Sequence, residues 1–201
     1  MNVLGISGSL SRHSKTELAV QVVLDTITTI APYASVNRIS LSEADIAFCD
    51  GSHPDLYDGD TRRAIDAIAG ADLLIAGSPI YRGSYSGAFK NLFDLIPNDA
   101  LRGKTVGIVA TGGSHHHYLA IDHLFRPLFS YFRAYVVPGG VYVSNSAYSD
   151  GSITDEGIRS RLQNLGLEAV CMAESLQATY QGPDLPSIKR ESLVNPQNQS
   201  K

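Results

Sequence analysis

Cysteine is scarce in this chain: Cys49 and Cys171 stand far apart, with no C-x-x-C pair and no spacing suited to a metal. A disulfide framework and a zinc ribbon are thereby excluded, and both residues read as ordinary thiols of a reducing compartment. Positive charge is lacking too. Sixteen Lys and Arg against 20 Asp and Glu leave a net charge of −4, whereas a nucleic-acid surface needs basic residues gathered on one face. No apolar run reaches membrane-spanning length, and Met1-Asn2-Val3-Leu4-Gly5-Ile6 enters an apolar strand without a charged leader. The expected location is the cytoplasm, with no membrane partner. There is no internal repeat. A length of 201 residues, 43% of them hydrophobic, suits one domain with a core covered on both faces.

What is present is an alternation. An apolar strand over 3–7 runs through Gly8 into a polar loop, and then Leu18, Val22, Val23 and Ile27 follow at helical spacing. Further strands are predicted over 35–39, 72–76, 105–110 and 135–143, with helices over 61–69, 86–96, 115–132 and 154–178. Five strands alternating with helices predict an α/β three-layer sandwich: a five-stranded parallel sheet in order 2-1-3-4-5 with helices on both faces. From Tyr180 onward Gln, Pro, Ser, Asn and Lys replace the apolar periodicity. The expected division is therefore a domain over 1–179 and a weakly anchored tail over 180–201.

In such a sheet a ligand lies outside the carboxyl ends of the strands, where the strand order reverses. The loops after strands 1, 3 and 4 become the candidates. The first runs Ser7-Gly8-Ser9-Leu10-Ser11-Arg12-His13-Ser14-Lys15-Thr16 into a helix whose free N–H groups favour a phosphate. Gly8 permits close approach, Ser9, Ser14 and Thr16 offer hydroxyls, and Arg12 adds charge. Taken alone, the segment also reads as a Ser-rich helix cap without a ligand. An ATP-binding P-loop does not fit, because Ser9 and Ser14 occupy both glycine positions and strand 3 ends without an Asp for magnesium. A dinucleotide fingerprint fails as well, since no third glycine follows Gly5 and Gly8, although Glu43 lies beyond strand 2 where a ribose-binding acid belongs. One phosphate fits the loop better than two.

The second loop, Gly77 to Gly87, places Pro79, Tyr81 and small residues where a flat ring can lie against backbone. The third, Thr111-Gly112-Gly113-Ser114, heads a helix and exposes N–H groups to a pyrimidine-like edge. A phosphate loop, a ring-bearing loop and an N–H-rich loop on three neighbouring strand ends describe a phosphate joined to a planar heterocycle. FMN has that shape.

This pattern resembles the NAD(P)H-dependent FMN reductase family, particularly the reductase components of two-component alkanesulfonate and methanesulfonate monooxygenases. The resemblance runs from Met1 to about Ala178. Its most specific stretches are Ser78-Pro79-Ile80-Tyr81-Arg82-Gly83-Ser84-Tyr85-Ser86-Gly87 followed by Leu92-Phe93-Asp94-Leu95, and Ala110-Thr111-Gly112-Gly113-Ser114 followed by His117, Asp122-His123 and Arg126-Pro127-Leu128. The resemblance implies a flavodoxin-like fold, FMN as cofactor, and NADH or NADPH as hydride donor. It implies that Ser9, Arg12, Ser14, Lys15 and Thr16 hold the phosphate. Pro79, Ile80, Tyr81, Arg82, Gly83 and Ser84 would lie along the isoalloxazine, and Thr111, Gly112 and Gly113 would bond its pyrimidine end. His117 would face the flavin or the nicotinamide, or else start a helix at the surface. Hydride passes from nicotinamide to flavin N5 in this family, so the cofactor carries the chemistry and no catalytic side chain is assigned.

Three further features need weighing. His115, His116 and His117 do not form a metal site, because consecutive helical residues point about 100° apart. The helix over 115–132 is apolar nearly all round, which predicts a homodimer or homotetramer in which a second subunit covers Leu124 or Phe129. Pro127 lies within it and lacks an N–H, so the helical ladder should open there; by resemblance this is a π-bulge that makes His123 a candidate for interface and flavin exchange. The expected function is reduction of FMN and supply of reduced flavin to a partner monooxygenase. The alternative is an FMN-containing quinone, azo-dye or chromate reductase that retains its flavin. A non-enzymatic electron carrier fits less well, since flavodoxins tend to be more acidic and to flank the ring with aromatics, which the third loop does not supply.

Overall fold

The computed structural model describes residues 1–176. In chain order these form β1 (Asn2–Ser7), α1 (Lys15–Ile30), β2 (Ser35–Ser40), α2 (Gly59–Gly70), β3 (Leu73–Tyr81), β4 (Ser84–Tyr85), α3 (Gly87–Leu95) and β5 (Thr105–Gly112). There follow α4 (Arg126–Tyr131), β6 (Tyr135–Val136), β7 (Val141–Ser144), β8 (Tyr148–Ser149), β9 (Ser152–Ile153) and α5 (Glu156–Ser175). The sheet order is β2-β1-β3-β5-β6, with β7 also paired to β5 and all of these pairs parallel. The expected order 2-1-3-4-5 therefore holds.

The count differs: the sheet has seven strands, not five. The predicted strand over 135–143 is β6 and β7 separated by Val137 to Gly140. Pro138 cannot donate to a ladder and Gly139 has a left-handed φ of +73°, so the strand steps out and re-enters. The other addition is β4, a two-residue antiparallel partner of β3.

Alternation along the strands makes the layers. Val3, Leu73, Ile75 and Val109 point to one face, where Val20, Val23 and Ile27 of α1 and Leu162, Leu165 and Ala169 of α5 cover them. Leu4, Ile6, Leu74, Ala76, Val106 and Ile108 point to the other, against Ile65 and Ile68 of α2 and Phe89, Leu92 and Phe93 of α3. Because α5 closes the first face, residues to Ser175 belong to the fold. The predicted helix end at 178 and the boundary at 179/180 lie outside the described residues.

The helix predicted over 115–132 is not continuous. It resolves into a 3₁₀ turn at His115–His117, a π-helical turn at Ile121–Phe125 and the short α4. The Arg126 N–H donates to the Ile121 carbonyl, five residues back, immediately before Pro127. The apolar girdle is also less free than its sequence suggests. Ile121, Phe125, Phe129 and Phe132 are buried inside their own subunit, with Phe129 edge-on to Phe93 at 5.2 Å. Phe129 is thus a core residue and not one that faces a partner; Tyr118, Leu119 and Tyr131 are the exposed ones.

Candidate active site

The carboxyl ends of β1, β3 and β5 are fastened to one another by backbone and hydroxyl contacts. The Gly8 N–H donates to the Gly77 carbonyl at 2.8 Å, and the Gly8 carbonyl accepts from Ser86 Oγ at 2.5 Å. Ser86 Oγ also accepts the Phe89 N–H and so caps α3, while the Ser86 N–H donates to Ser78 Oγ. No side chain fits at position 8: a Cβ there would lie 2.7 Å from the Phe89 ring. The sequence chooses glycine because the loop must run directly over this buried aromatic.

Ser14 begins α1. Its Oγ accepts the Glu17 N–H at 3.0 Å and lies 3.4 Å from Ser7 Oγ, so two serine hydroxyls meet at the helix N-terminus. Ser9 Oγ accepts the Ser11 N–H at 3.2 Å. Thr16 and Thr111 share a hydroxyl hydrogen bond of 2.7 Å that joins the first loop to the third. Lys15 Nζ donates to Asn145 Oδ1 at 3.1 Å and stands 5.1 Å from the centre of the Tyr148 ring, whose O–H donates to the Lys15 carbonyl. Burial pushes the Tyr148 phenol far above the usual tyrosine value, so it remains a neutral donor. Tyr142 donates to the Ser114 carbonyl at 2.5 Å, and burial raises its phenol as well. Its hydroxyl fills the space that a Cβ on Gly112 would occupy.

A cleft of about 250 Å³ opens between these elements. Its lining brings together Ser9, Ser14, Lys15, Thr16, Pro79, Ile80, Tyr81, Thr111, Gly112 and Gly113 from all three predicted loops. Ser11, His13 and Asn145 complete it, with no Asp or Glu among the lining residues. Asn145 went unnoticed in the sequence, yet it follows β7 at the carboxyl edge, where the same strand-end rule would have found it.

The remaining predicted residues lie elsewhere. Arg12 is exposed on the outer side of the first loop and lines an adjoining cleft. Arg82 and Gly83, with φ of 53° and 87°, form a tight two-residue turn between β3 and β4, and Ser84 pairs with Tyr81. They sit at the tip of a hairpin and not along the cleft, because β3 continues through Pro79 to Tyr81. β1 stops pairing with β3 at Gly77, so from there β3 has an edge where a proline is tolerated. His117 is half-buried in the 3₁₀ turn and outside the cleft lining. Among the described residues no group of three His, Cys, Asp or Glu side chains is placed to hold a metal, and no helix is long and apolar enough to cross a membrane.

The donor set fits a phosphomonoester joined to a flat ring. Hydroxyls of Ser9, Ser14 and Thr16 lie at the positive end of α1, and Pro79, Ile80, Gly112 and Gly113 line the same cleft. The cleft is smaller than the roughly 300–1,000 Å³ that encloses a drug-sized ligand. It would hold a nucleotide by its phosphate end and leave the ring accessible.

A parallel sheet in this order, with a hydroxyl-lined loop leading into a helix at its switch point, defines a flavodoxin-like α/β protein. The profile of the NADPH-dependent FMN reductase family matches residues 1–149, and the chain belongs to that family. It is 40% identical to an NAD(P)H-dependent FAD/FMN reductase of Geobacillus thermodenitrificans over 179 residues, covering 89% of this chain and 96% of that one. It is 36% identical to the NADH-dependent FMN reductase SfnF of Pseudomonas putida over 165 residues, covering 82% and 89%. Among solved structures, the apo form of the NADH:FMN oxidoreductase EMOB superposes with a TM-score of 0.75 at 30% identity, covering 89% of this chain and 91% of that one. The protein is therefore an NAD(P)H:FMN oxidoreductase.

Proposed function

We propose that this protein uses FMN as a substrate, loading it at the three-loop cleft, reducing it with a nicotinamide nucleotide and releasing it to a partner monooxygenase. The observation that carries this reading is the cleft itself, which gathers the buried hydroxyls of Ser9, Ser14 and Thr16 but, at about 250 Å³, is too small to enclose a whole flavin nucleotide. FMN supplies the hydride-accepting ring. The chain's own residues do the rest: Ser9, Ser14, Thr16 and Lys15 hold the phosphate with Arg12 at the rim, and Pro79 to Tyr81 lie along the ring. The N–H groups of Gly112 and Gly113 face its pyrimidine edge and stabilise negative charge there. No side chain is needed as acid or base.

Residues 1–179 act as one flavin-binding domain in a reducing cytoplasm, in keeping with free Cys49 and Cys171. Assembly into a dimer or tetramer uses the face of Tyr118, Leu119 and Tyr131, beside half-buried Leu124 and Leu128. The Tyr118 ring lies 6.2 Å from the Tyr142 ring, whose hydroxyl donates to the Ser114 carbonyl, so a second subunit on Tyr118 would stand beside the third loop.

Steady-state oxidation of NADH and NADPH against added FMN tests the reading. Saturable dependence on FMN in the micromolar range, about −8 kcal/mol of binding free energy, is expected. Full activity with stoichiometrically bound flavin, and faster turnover with quinone or azo dye than with FMN, would assign the protein to the flavin-retaining reductases instead.

A further inference from the structure

A larger cleft, about 550 Å³, lies immediately outside the phosphate loop, between α1, the end of β2 and the β8–β9 hairpin. It shares His13, Ser14 and Lys15 with the flavin cleft, so the phosphate loop is the common wall. A group bonded to the outer oxygen of a phosphate held in that loop would pass into this cleft without crossing the chain. We propose that it is an adenylate subsite, and that the protein takes FAD with its adenosine monophosphate half laid here. The proposal rests on the reading that a flavin phosphate occupies the N-terminus of α1.

The cleft is lined by charges of both signs, Arg12, Lys15 and Arg38 with Glu17, Glu43 and Asp150. Near the loop stand Lys15 and Arg12, which is exposed and has no ion-pair partner among the described residues. They are placed for a second phosphate that the loop itself, lacking the dinucleotide glycines, does not clasp. Glu43 stands just beyond β2, and Asp150 in the turn of the β8–β9 hairpin, whose Tyr148 packs on Lys15. Arg38 pairs with Glu17 and lies 3.6 Å from Glu43, and Ser40 Oγ donates to Glu17 Oε2 at 2.8 Å, which fixes that wall. Glu43 keeps a 68% exposed side chain just beyond β2, the place from which an acid in dinucleotide-binding sheets accepts the 2′-hydroxyl of an adenosine ribose. Leu18 of α1 offers an exposed apolar surface suited to a purine.

Calorimetric titration of the full chain with FMN and with FAD tests the assignment. The wild type should bind FAD within about threefold of FMN. Leu18→Trp, which fills the cleft, should weaken FAD about tenfold and FMN by less than about twofold. Glu43→Gln, an exposed and conservative change, provides the same comparison if the tryptophan variant misfolds, with a loss for FAD alone of about threefold or more. An FAD affinity unmoved in the folded variants, or FMN binding without FAD binding, overturns the subsite alone. A rise in the KM for NADH with FAD binding unchanged overturns it in favour of the nicotinamide nucleotide. Failure of the wild type to bind FMN at all overturns the phosphate-loop reading, and the subsite with it.

Discussion

Thr16 and Thr111, 95 positions apart, share a buried hydroxyl hydrogen bond of 2.7 Å that fastens the first turn of α1 to the end of β5. It joins the first loop of the cleft to the third. One hydroxyl donates and the other keeps its proton for a ligand. Replacing either Thr by Val leaves a buried hydroxyl without its partner and should cost about 1–3 kcal/mol of stability. Thr16→Val/Thr111→Val removes both and should cost less than the sum of the single changes. Urea unfolding of the four proteins measures the coupling; strict additivity would mean that the two loops are held independently.

Ser14 caps α1 and, in the proposed reading, also donates to the flavin phosphate, and one substitution read with two flavins separates these roles. As the N-cap of α1, its loss in Ser14→Ala should lower stability by about 0.5–2 kcal/mol. As a phosphate donor, its loss should weaken FMN while leaving riboflavin, which has no phosphate, unaffected. Arg12→Ala should leave stability unchanged and weaken FMN by about 1.5–3 kcal/mol if it reaches the phosphate from the rim. Fluorescence titration with both flavins decides; equal losses for FMN and riboflavin would remove the phosphate from this loop.

Much of this was legible in the chain. Apolar runs punctuated by glycine gave strands 1, 3 and 4 and the sheet order, because strands buried on both faces carry an unmistakable composition. Ser9, Ser14, Thr16, Thr111 and Gly112 could be placed because strand ends at a switch point share one edge. What could not be read was shape beyond that edge. Nothing local in Tyr81-Arg82-Gly83-Ser84 reveals that a non-glycine residue takes a left-handed φ of 53° and turns the loop into a hairpin. Nor does periodicity reveal that Phe129 packs on Phe93 and not on another subunit, since both are apolar environments. Pro127 did signal the broken helix, because a missing N–H is a local fact with a local consequence.

Tyr148 gives a pH dependence of known sign. Burial raises its phenol above the ordinary value of 10.0, so the folded state holds the proton more tightly than the unfolded chain. That contribution is complete below about pH 10 and is lost as the pH rises from there toward the higher folded value. Tyr148→Phe should cost about 0.5–1.5 kcal/mol at neutral pH through the lost bond to the Lys15 carbonyl. It should also flatten the alkaline fall in stability. Urea midpoints followed from neutral pH into the alkaline range measure both effects, and parallel curves for the two proteins would contradict the assignment.

Assembly should respond to the exposed girdle and not to the buried one. Leu119→Asp or Tyr131→Asp should give a folded protein of smaller mass by light scattering. Phe129→Asp, which puts a charge against Phe93 inside the core, should unfold the chain instead. A wild type that is monomeric at micromolar concentration would remove the interface altogether.

The central claim is that FMN passes through the site and does not stay in it. Anaerobic mixing of catalytic enzyme with reduced nicotinamide nucleotide and a large molar excess of FMN tests this most directly, followed by the visible flavin absorbance. Bleaching of the entire FMN pool, at a rate proportional to enzyme and saturable in FMN, is the predicted result. Bleaching of one equivalent per protomer, with the remaining flavin still oxidised until a quinone or dye is supplied, would contradict it.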